Sequence, residues 1–399
     1  MPVTAVRALD VLTLRRQLLD ARRQTDALFQ LIAPEAIYDR PVADRHRLIF
    51  YLGHLEAFDW NLLAAPAVGA SPRPRFDDLF ARGIDPEPGA AAADSPRDWP
   101  AREEVEQYSR RTREWLDTHL ENADPWVLQM AIEHRHMHAE TLAYLLHQLP
   151  YDRKMPCAAT PATGRAAPKN PMVDVATGTV TLGNATEGFG WDNEFRAHEV
   201  PLAAHQTSRY KISNGEYLEF VREGGPAPFF WRNSGDRWLY RGIFAEVPLP
   251  LDWPVWTTWR QAAAYAEWRG LALPTEAQYL RASALSEPDP ARDNFDYRRW
   301  DPVAVDFGDE AAVDDGRPAR PMQLTGNGWE WTQDVFAPFD GFRPHPSYPG
   351  YSADFFDGQH YVMKGASPRT ARLLARRSFR NWFRADYPYV YAGFRLVGN

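Results

Sequence analysis

From Ala5 to Leu149 apolar residues return every three or four positions, with Arg, Glu and Ala in the polar gaps, and that period predicts helices. Four segments carry it. Ala5 to Leu31 does so through Leu9, Leu12, Leu14, Leu18, Leu19 and Leu28, and Asp44 to Ala64 through Ile49, Leu52, Leu55 and Leu62. Arg102 to Leu120 is the third, and Pro125 to Leu149, with Trp126, Leu128, Ile132, Leu142, Leu145 and Leu149, is the fourth. Helices of this length predict an up-and-down four-helix bundle. Between the second and third, Pro66 to Trp99 is rich in proline and contains the run Ala90 to Ala93, so it reads as an irregular excursion and not as a fifth element. Pro150 to Pro171 alternates proline with Ala and Thr and reads as a linker. Beyond Val173 the pattern shortens to β-type runs such as Gly178 to Gly183, with two helical pieces, Ser213 to Arg222 and Thr258 to Arg269. The remainder predicts little regular structure, held by aromatic packing. The expected division is a helical domain over 1–150, a linker over 151–171 and a second domain over 172–399.

Composition narrows the picture. A chain of 399 residues, 44% hydrophobic and 25% charged, has the balance of a globular protein and the length for two cores. The net charge of -8, spread without long runs, argues against a nucleic-acid surface. No stretch reaches the roughly 18 apolar residues of a membrane helix, and the Arg- and Asp-dotted start is unlike a signal peptide, so a cytoplasmic location is expected. The single cysteine, Cys157, excludes an internal disulfide and a Cys-rich zinc site.

The candidate chemistry lies in Glu133-His-Arg-His-Met-His-Ala-Glu140. On a helix His134 and His138 are one turn apart on one face, so both imidazoles can converge on one metal ion, while His136 points elsewhere. His54, beside Gly53 on the second helix, offers a third ligand, since facing helices of a bundle are where such sites are built. Imidazoles alone do not choose between zinc and iron. Glu140 is either an acceptor for a ligand N–H or a solvated charge.

His-x3-His-x-Glu (His134, His138, Glu140) with the upstream Gly-His (His54) resembles the N-terminal DinB-like bundle of the EgtB-like sulfoxide synthases of ergothioneine biosynthesis. The second half resembles the formylglycine-generating-enzyme fold, a C-type-lectin-like α+β domain. Its marks are Gly178-x-Val-x-Leu-Gly183, Trp191-Asp-Asn-Glu194, Ile212-Ser-Asn-Gly-Glu-Tyr217, Leu273-Pro-Thr-Glu-Ala-Gln278, Gly326-Asn-Gly-Trp-Glu-Trp331 and Ala392-Gly-Phe-Arg-Leu396. The expected fold class is therefore mixed α and α/β, a DinB-like four-helix bundle followed by that α+β domain. The resemblance implies that His54, His134 and His138 bind one Fe(II), which with O2 couples a donor to C2 of the imidazole ring of hercynine. It also implies an active-site tyrosine in Tyr348-Pro-Gly-Tyr-Ser352, either Tyr348 or Tyr351, and hercynine contacts from Arg380-Asn381-Trp382. An aromatic wall suits a trimethylammonium group. Gly326 to Trp331 reads as a brace of the core.

The chain departs from the family where the donor is held. Members that use γ-glutamylcysteine carry an acidic and a basic residue where this chain has Phe383 and Tyr387, and an aromatic ring cannot replace a salt bridge to a zwitterion. Lys364-Gly-Ala-Ser367 and Met137 also differ from the family pattern. These changes favour the family's selenoneine-synthase branch (SenA), with a selenosugar stacked on Phe383, Tyr387 and Tyr389 and a carbon–selenium bond formed on hercynine. The alternative is a sulfoxide synthase that uses a thiol, cysteine rather than γ-glutamylcysteine. From other classes stand a metal-stabilised lectin-like binding module and a zinc-dependent thiol transferase.

Overall fold

Asp10 opens the first helix by accepting from the backbone N–H of Thr13 at 2.8 Å, which satisfies one of the donors every helix leaves unpaired at its start. The computed structural model describes residues 10–81, 94–157, 164–185, 188–284, 288–309 and 320–398. They form two compact units, Met1–Ala158 and Ala159–Asn399. The first nine residues of the chain, with the start of the first predicted helix, and the run Ala90 to Ala93 lie outside the described residues.

In the first unit the helices are α1 (Val11–Phe29), α2 (Leu48–Asp59), the short α3 (Ala65–Val68), α4 (Pro74–Ala81), α5 (Arg102–His119) and α6 (Pro125–Gln148). Residues Trp60–Ala64, between α2 and α3, are wound as a π-helix. The period-3.6 stripes bury Leu14, Leu18 and Leu28 of α1, Ile49 and Leu55 of α2, Leu116 of α5, and Leu128, Ile132, Leu142 and Leu145 of α6. Leu12 and Leu19 fall off the stripe and are exposed. Helix α1 packs on α6, and α2 packs on α4, α5 and α6.

Helix α4 corrects the expectation of an irregular excursion. Pro74 takes its first position, where a missing N–H costs nothing. The buried Asp77 ties its start by accepting from the backbone N–H and hydroxyl of Ser71 at 2.7 and 2.6 Å and from the Tyr108 hydroxyl at 2.9 Å. Phe76 and Phe80 then bury one turn apart. The expected linker is also partly structured. Lys154 bridges Ile32 and the Met155 N–H reaches the Leu31 carbonyl at 2.8 Å, while Asn170 exchanges hydrogen bonds with the backbone of Tyr210 in the second unit.

The second unit is more regular than its sequence suggests. Its strands, among the described residues, are β1 (Met172–Val175), β2 (Gly178–Leu182), β3 (His198–Leu202), β4 (His205–Ser208), β5 (Trp231–Asn233), β6 (Trp238–Arg241), β7 (Glu246–Pro248), β8 (Gly328–Val335), β9 (His360–Ala366), β10 (Asn381–Arg384), β11 (Ala392–Gly393) and β12 (Val397–Gly398). Its helices are α7 (Asn214–Arg222), α8 (Trp259–Trp268), α9 (Glu276–Ser283) and α10 (Pro290–Asp293). Most strands are short, and those of the four-stranded sheet pair across long stretches of chain, so apart from Gly178–Leu182 local alternation does not announce them. One four-stranded sheet, ordered β10-β9-β8-β11, gathers four of the quoted motifs, because Trp329-Glu-Trp331, Lys364-Gly-Ala366, Asn381-Trp382 and Ala392-Gly393 are its strands. Its buried charges are paired. Glu330 accepts from Lys211 at 2.5 Å and Arg395 at 2.6 Å, and Glu276 from Lys364 and Arg380, each at 3.2 Å. Among the described residues, no helix is long and apolar enough to cross a membrane.

Candidate metal centre

Three imidazoles meet in the first unit, His54 from α2 and His134 and His138 from α6, with one nitrogen of each within 4.8 Å of the others. The i, i+4 spacing places the α6 pair on one face, and α2 packs against that face. His54 and His134 are buried, with ring centroids 5.2 Å apart, and the two α6 rings are 4.5 Å apart. Aromatic side chains wall the site. Phe58 stacks on His134 at 3.4 Å, Phe50 on His54 at 4.9 Å, and Tyr51 lies 5.8 Å from His138.

Burial holds all three imidazoles neutral, because a charged ring would lose its hydration. It pushes His54 down to about 4, and His134 and His138 well below their ordinary value. The His54 tautomer follows from its partner. Nδ1 lies 2.7 Å from the Phe80 carbonyl, which can only accept, so Nδ1 carries the hydrogen and Nε2 presents a lone pair. That lone pair faces His138 Nε2 at 3.2 Å. Two nitrogens about 2.1 Å from one metal, at octahedral to tetrahedral angles, lie roughly 3.0 to 3.4 Å apart. The donor set therefore fits a divalent metal held by neutral nitrogen ligands. Phe80 was not foreseen, because a backbone carbonyl leaves no mark in a sequence. His136 is not among the three that converge, yet it is buried and is itself lowered to about 4 by burial. Glu140 is half-buried.

In the second unit the proposed substrate residues divide between two faces. Trp382 and Phe383 are neighbours on β10, so their side chains project to opposite sides of the sheet. Trp382 stacks on Phe336 at 4.2 Å and meets the edge of Tyr351 at 5.3 Å. Tyr351 stacks in turn on Trp191 at 3.9 Å, and Tyr348 lies 5.7 Å from it. Phe383 stacks on Tyr387 at 4.9 Å, which abuts Tyr389 at 5.2 Å. The loop that carries the tyrosines is pinned by Ser352, whose hydroxyl donates to Asp192 and accepts from Asn193 Nδ2 at 2.9 Å. Asn381 accepts from the Trp382 N–H at 2.9 Å. Arg380, the third of the expected substrate residues in this motif, is buried. Its guanidinium serves Glu276 and the carbonyls of Asn193 and Ala337 and packs on Phe339, so it orients β10. Gly326 to Trp331 does brace the core, through Glu330 and through Asn327, which bonds both backbone groups of Val303 at 2.9 Å.

A three-histidine helical unit joined to a mixed helix-and-sheet unit narrows the class. The family model of the sulfatase-modifying factor enzyme 1-like domain matches residues 158–310 and 320–399. Hercynine oxygenase of Mycobacterium tuberculosis is 31% identical over 319 residues, 69% of this chain and 72% of that protein. Ergothioneine biosynthesis protein 1 of Schizosaccharomyces pombe is 28% identical over 429 residues, 93% of this chain and 54% of that protein. The chain thus spans about half the length of that relative and of its Neurospora crassa namesake. The structure of PvdO from Pseudomonas aeruginosa is similar at a TM-score of 0.37 and 19% identity, over 60% of this chain and 99% of that one. The chain belongs to the sulfatase-modifying factor enzyme 1-like family and, within it, to the group of the hercynine oxygenases and ergothioneine biosynthesis proteins.

Proposed function

We propose that this protein is an iron(II)- and dioxygen-dependent enzyme that joins a sulfur donor to the imidazole ring of hercynine. The observation that carries the reading is the opposed Nε2 pair of His54 and His138, 3.2 Å apart with His134 beside it, in a chain whose relatives bear the names hercynine oxygenase and ergothioneine biosynthesis protein. His54, His134 and His138 would hold the iron, which when bound supplies dioxygen activation and open positions where substrates meet. The three neutral rings leave the metal's positive charge uncompensated, which favours an anionic thiolate donor. The Phe80 carbonyl keeps His54 in the ligating tautomer.

The remaining roles are assigned to the second unit. Trp382 offers its ring to the trimethylammonium group, an attraction of about 0.5 to 2 kcal/mol, with Asn381 beside it for a polar group of hercynine. Tyr348 or Tyr351 holds the proton that the reaction requires. Phe383 and Tyr387 stand where γ-glutamylcysteine users carry charges, so no ion pair is offered there to the far end of that donor, and the reading is a smaller thiol, cysteine. The stack of these two rings supports a second reading, a selenosugar donor and a carbon–selenium bond, since a pyranose packs its C–H face on aromatic rings.

The test is product mass after iron-loaded protein is incubated in air with hercynine and, in turn, cysteine, γ-glutamylcysteine and a selenosugar. Cysteine is expected to give the coupled product fastest and γ-glutamylcysteine to be poor. Faster coupling with the selenosugar would move the protein to the second reading. No product and no oxygen uptake with any donor would leave a metal-stabilised binding module.

A further inference from the structure

The ligand helices are joined by more than apolar contact. Arg135, the residue after His134, is fully buried, and its guanidinium points across to α2. There it donates to the Leu55 carbonyl at 3.1 Å, to Glu56 at 3.0 Å and to Asp59 at 2.6 Å. Each of these partners lies within five residues of His54. Glu56 also accepts from Arg113 of α5 at 2.7 Å, and Arg113 reaches Asp26 of α1 at 2.7 Å. A single chain of ion pairs thus runs from α1 through α5 and α2 to α6 and ends beside the ligands. At its end Asp59 closes α2, and the π-helix Trp60–Ala64 begins.

We propose that Arg135 is a positioning residue of the histidine centre, clamping α6 to α2 at the depth of the cluster and so setting how tightly and in what geometry the three imidazoles bind a metal. The inference rests on the metal-site part of the proposed function and does not depend on the substrate. A packed apolar interface is non-directional and tolerates small slides. One residue of slip along a helix, about 1.5 Å, would carry His54 out of reach of His138, whereas metal–nitrogen distances tolerate only about 0.2 Å. A guanidinium bound to two carboxylates and a carbonyl is directional, and it holds one register. Buried ion networks add little net stability over apolar packing, and register is the use to which they are best suited. Here the network lies directly behind a site that needs register.

The test is titration of cobalt(II) into metal-free full-length protein, read by its visible absorption, with circular dichroism as the check on folding. Arg135→Met and Asp59→Asn should keep helical dichroism yet bind cobalt about tenfold more weakly, with altered visible bands. Arg135→Lys, which keeps the charge but not the fork, should recover part of the loss. If Arg135→Met does not fold, Arg135→Lys and Glu56→Gln carry the test. A folded Arg135 variant with wild-type cobalt affinity and spectrum overturns the clamp. So does a wild-type protein that binds no cobalt at the three histidines, since there is then no centre to position. Normal clamp behaviour in a protein inactive on hercynine overturns only the proposed reaction.

Discussion

At the scale of single residues, burial separates a metal ligand from a bystander less sharply than the helical wheel suggests. His54, His134, His136 and His138 are all kept neutral by desolvation, but only three of them converge. Replacing His134 by Ala should therefore abolish tight metal binding, which metal analysis after desalting would show, while retention of a full equivalent would sink the ligand assignment. His136→Ala should keep the metal yet lower stability by about 1 to 3 kcal/mol, because it empties a filled site, and urea unfolding would measure it. The tyrosines differ in the same way. Tyr351 is wedged between Trp191 and Trp382, whereas Tyr348 touches the group at its edge and is only half-buried. A Phe at 348 removes a hydroxyl and leaves the packing, so Tyr348→Phe should still bind hercynine but oxidise more donor without coupling it. An unchanged ratio of coupled to uncoupled product would transfer the role to Tyr351.

At the scale of elements, Gly53 shows how local sequence sets the site. A Cβ built on it would lie 2.5 Å from the Phe80 ring, so only glycine lets α4 close on α2. Gly53→Ala should push α4 away, take the Phe80 carbonyl from His54 Nδ1, and cost about 1 to 3 kcal/mol. Urea unfolding checks the stability, and a weaker metal affinity in the same protein checks the link to His54. Unchanged affinity would mean that α4 does not orient the ligand. This contact also marks the limit of what the sequence can show. His54, His134 and His138 were legible because a helical period puts residues i and i+4 on one face and the packing of α2 on α6 brings the ligands together. Helix α4 was not, since Pro72 and Pro74 at its start look like loop and its cap, Asp77 to Ser71, reaches backwards. Most strands of the second unit, Gly178–Leu182 apart, escaped for a related reason: Trp382 pairs with Val362 and Ala392 with Trp329, partners that no local pattern reveals.

At the scale of the whole molecule, the histidines lowered by burial are concentrated in the first unit, with His54, His134, His136 and His138 there against His360 in the second, so acid should weaken the first unit first. In the metal-free first unit, an unfolded imidazole takes up its proton near pH 6.5, whereas buried His54 and His136 do so only near 4. Between those values the unfolded state holds more protons, so stability falls as pH falls, by up to about 1.4 kcal/mol per pH unit for each such histidine. In the second unit burial alone would raise Glu194, Glu276 and Glu330, but Arg376, the pair Arg380 and Lys364, and the pair Arg395 and Lys211 outweigh it and hold these carboxyls below their ordinary value. Their stabilisation is present above about pH 4.5, where unfolded carboxyls titrate, and is lost only below it. The two windows can be read separately. The long helices belong to the first unit, while eleven of the fifteen tryptophans belong to the second. As pH is lowered in moderate urea, helical dichroism should fall before tryptophan fluorescence changes, and cobalt(II), which binds only neutral imidazoles, should move the first transition to lower pH and leave the second in place. Coincident transitions, or a second transition that shifts with cobalt, would show that the units unfold as one and that the buried histidines do not govern the acid stability of the first unit.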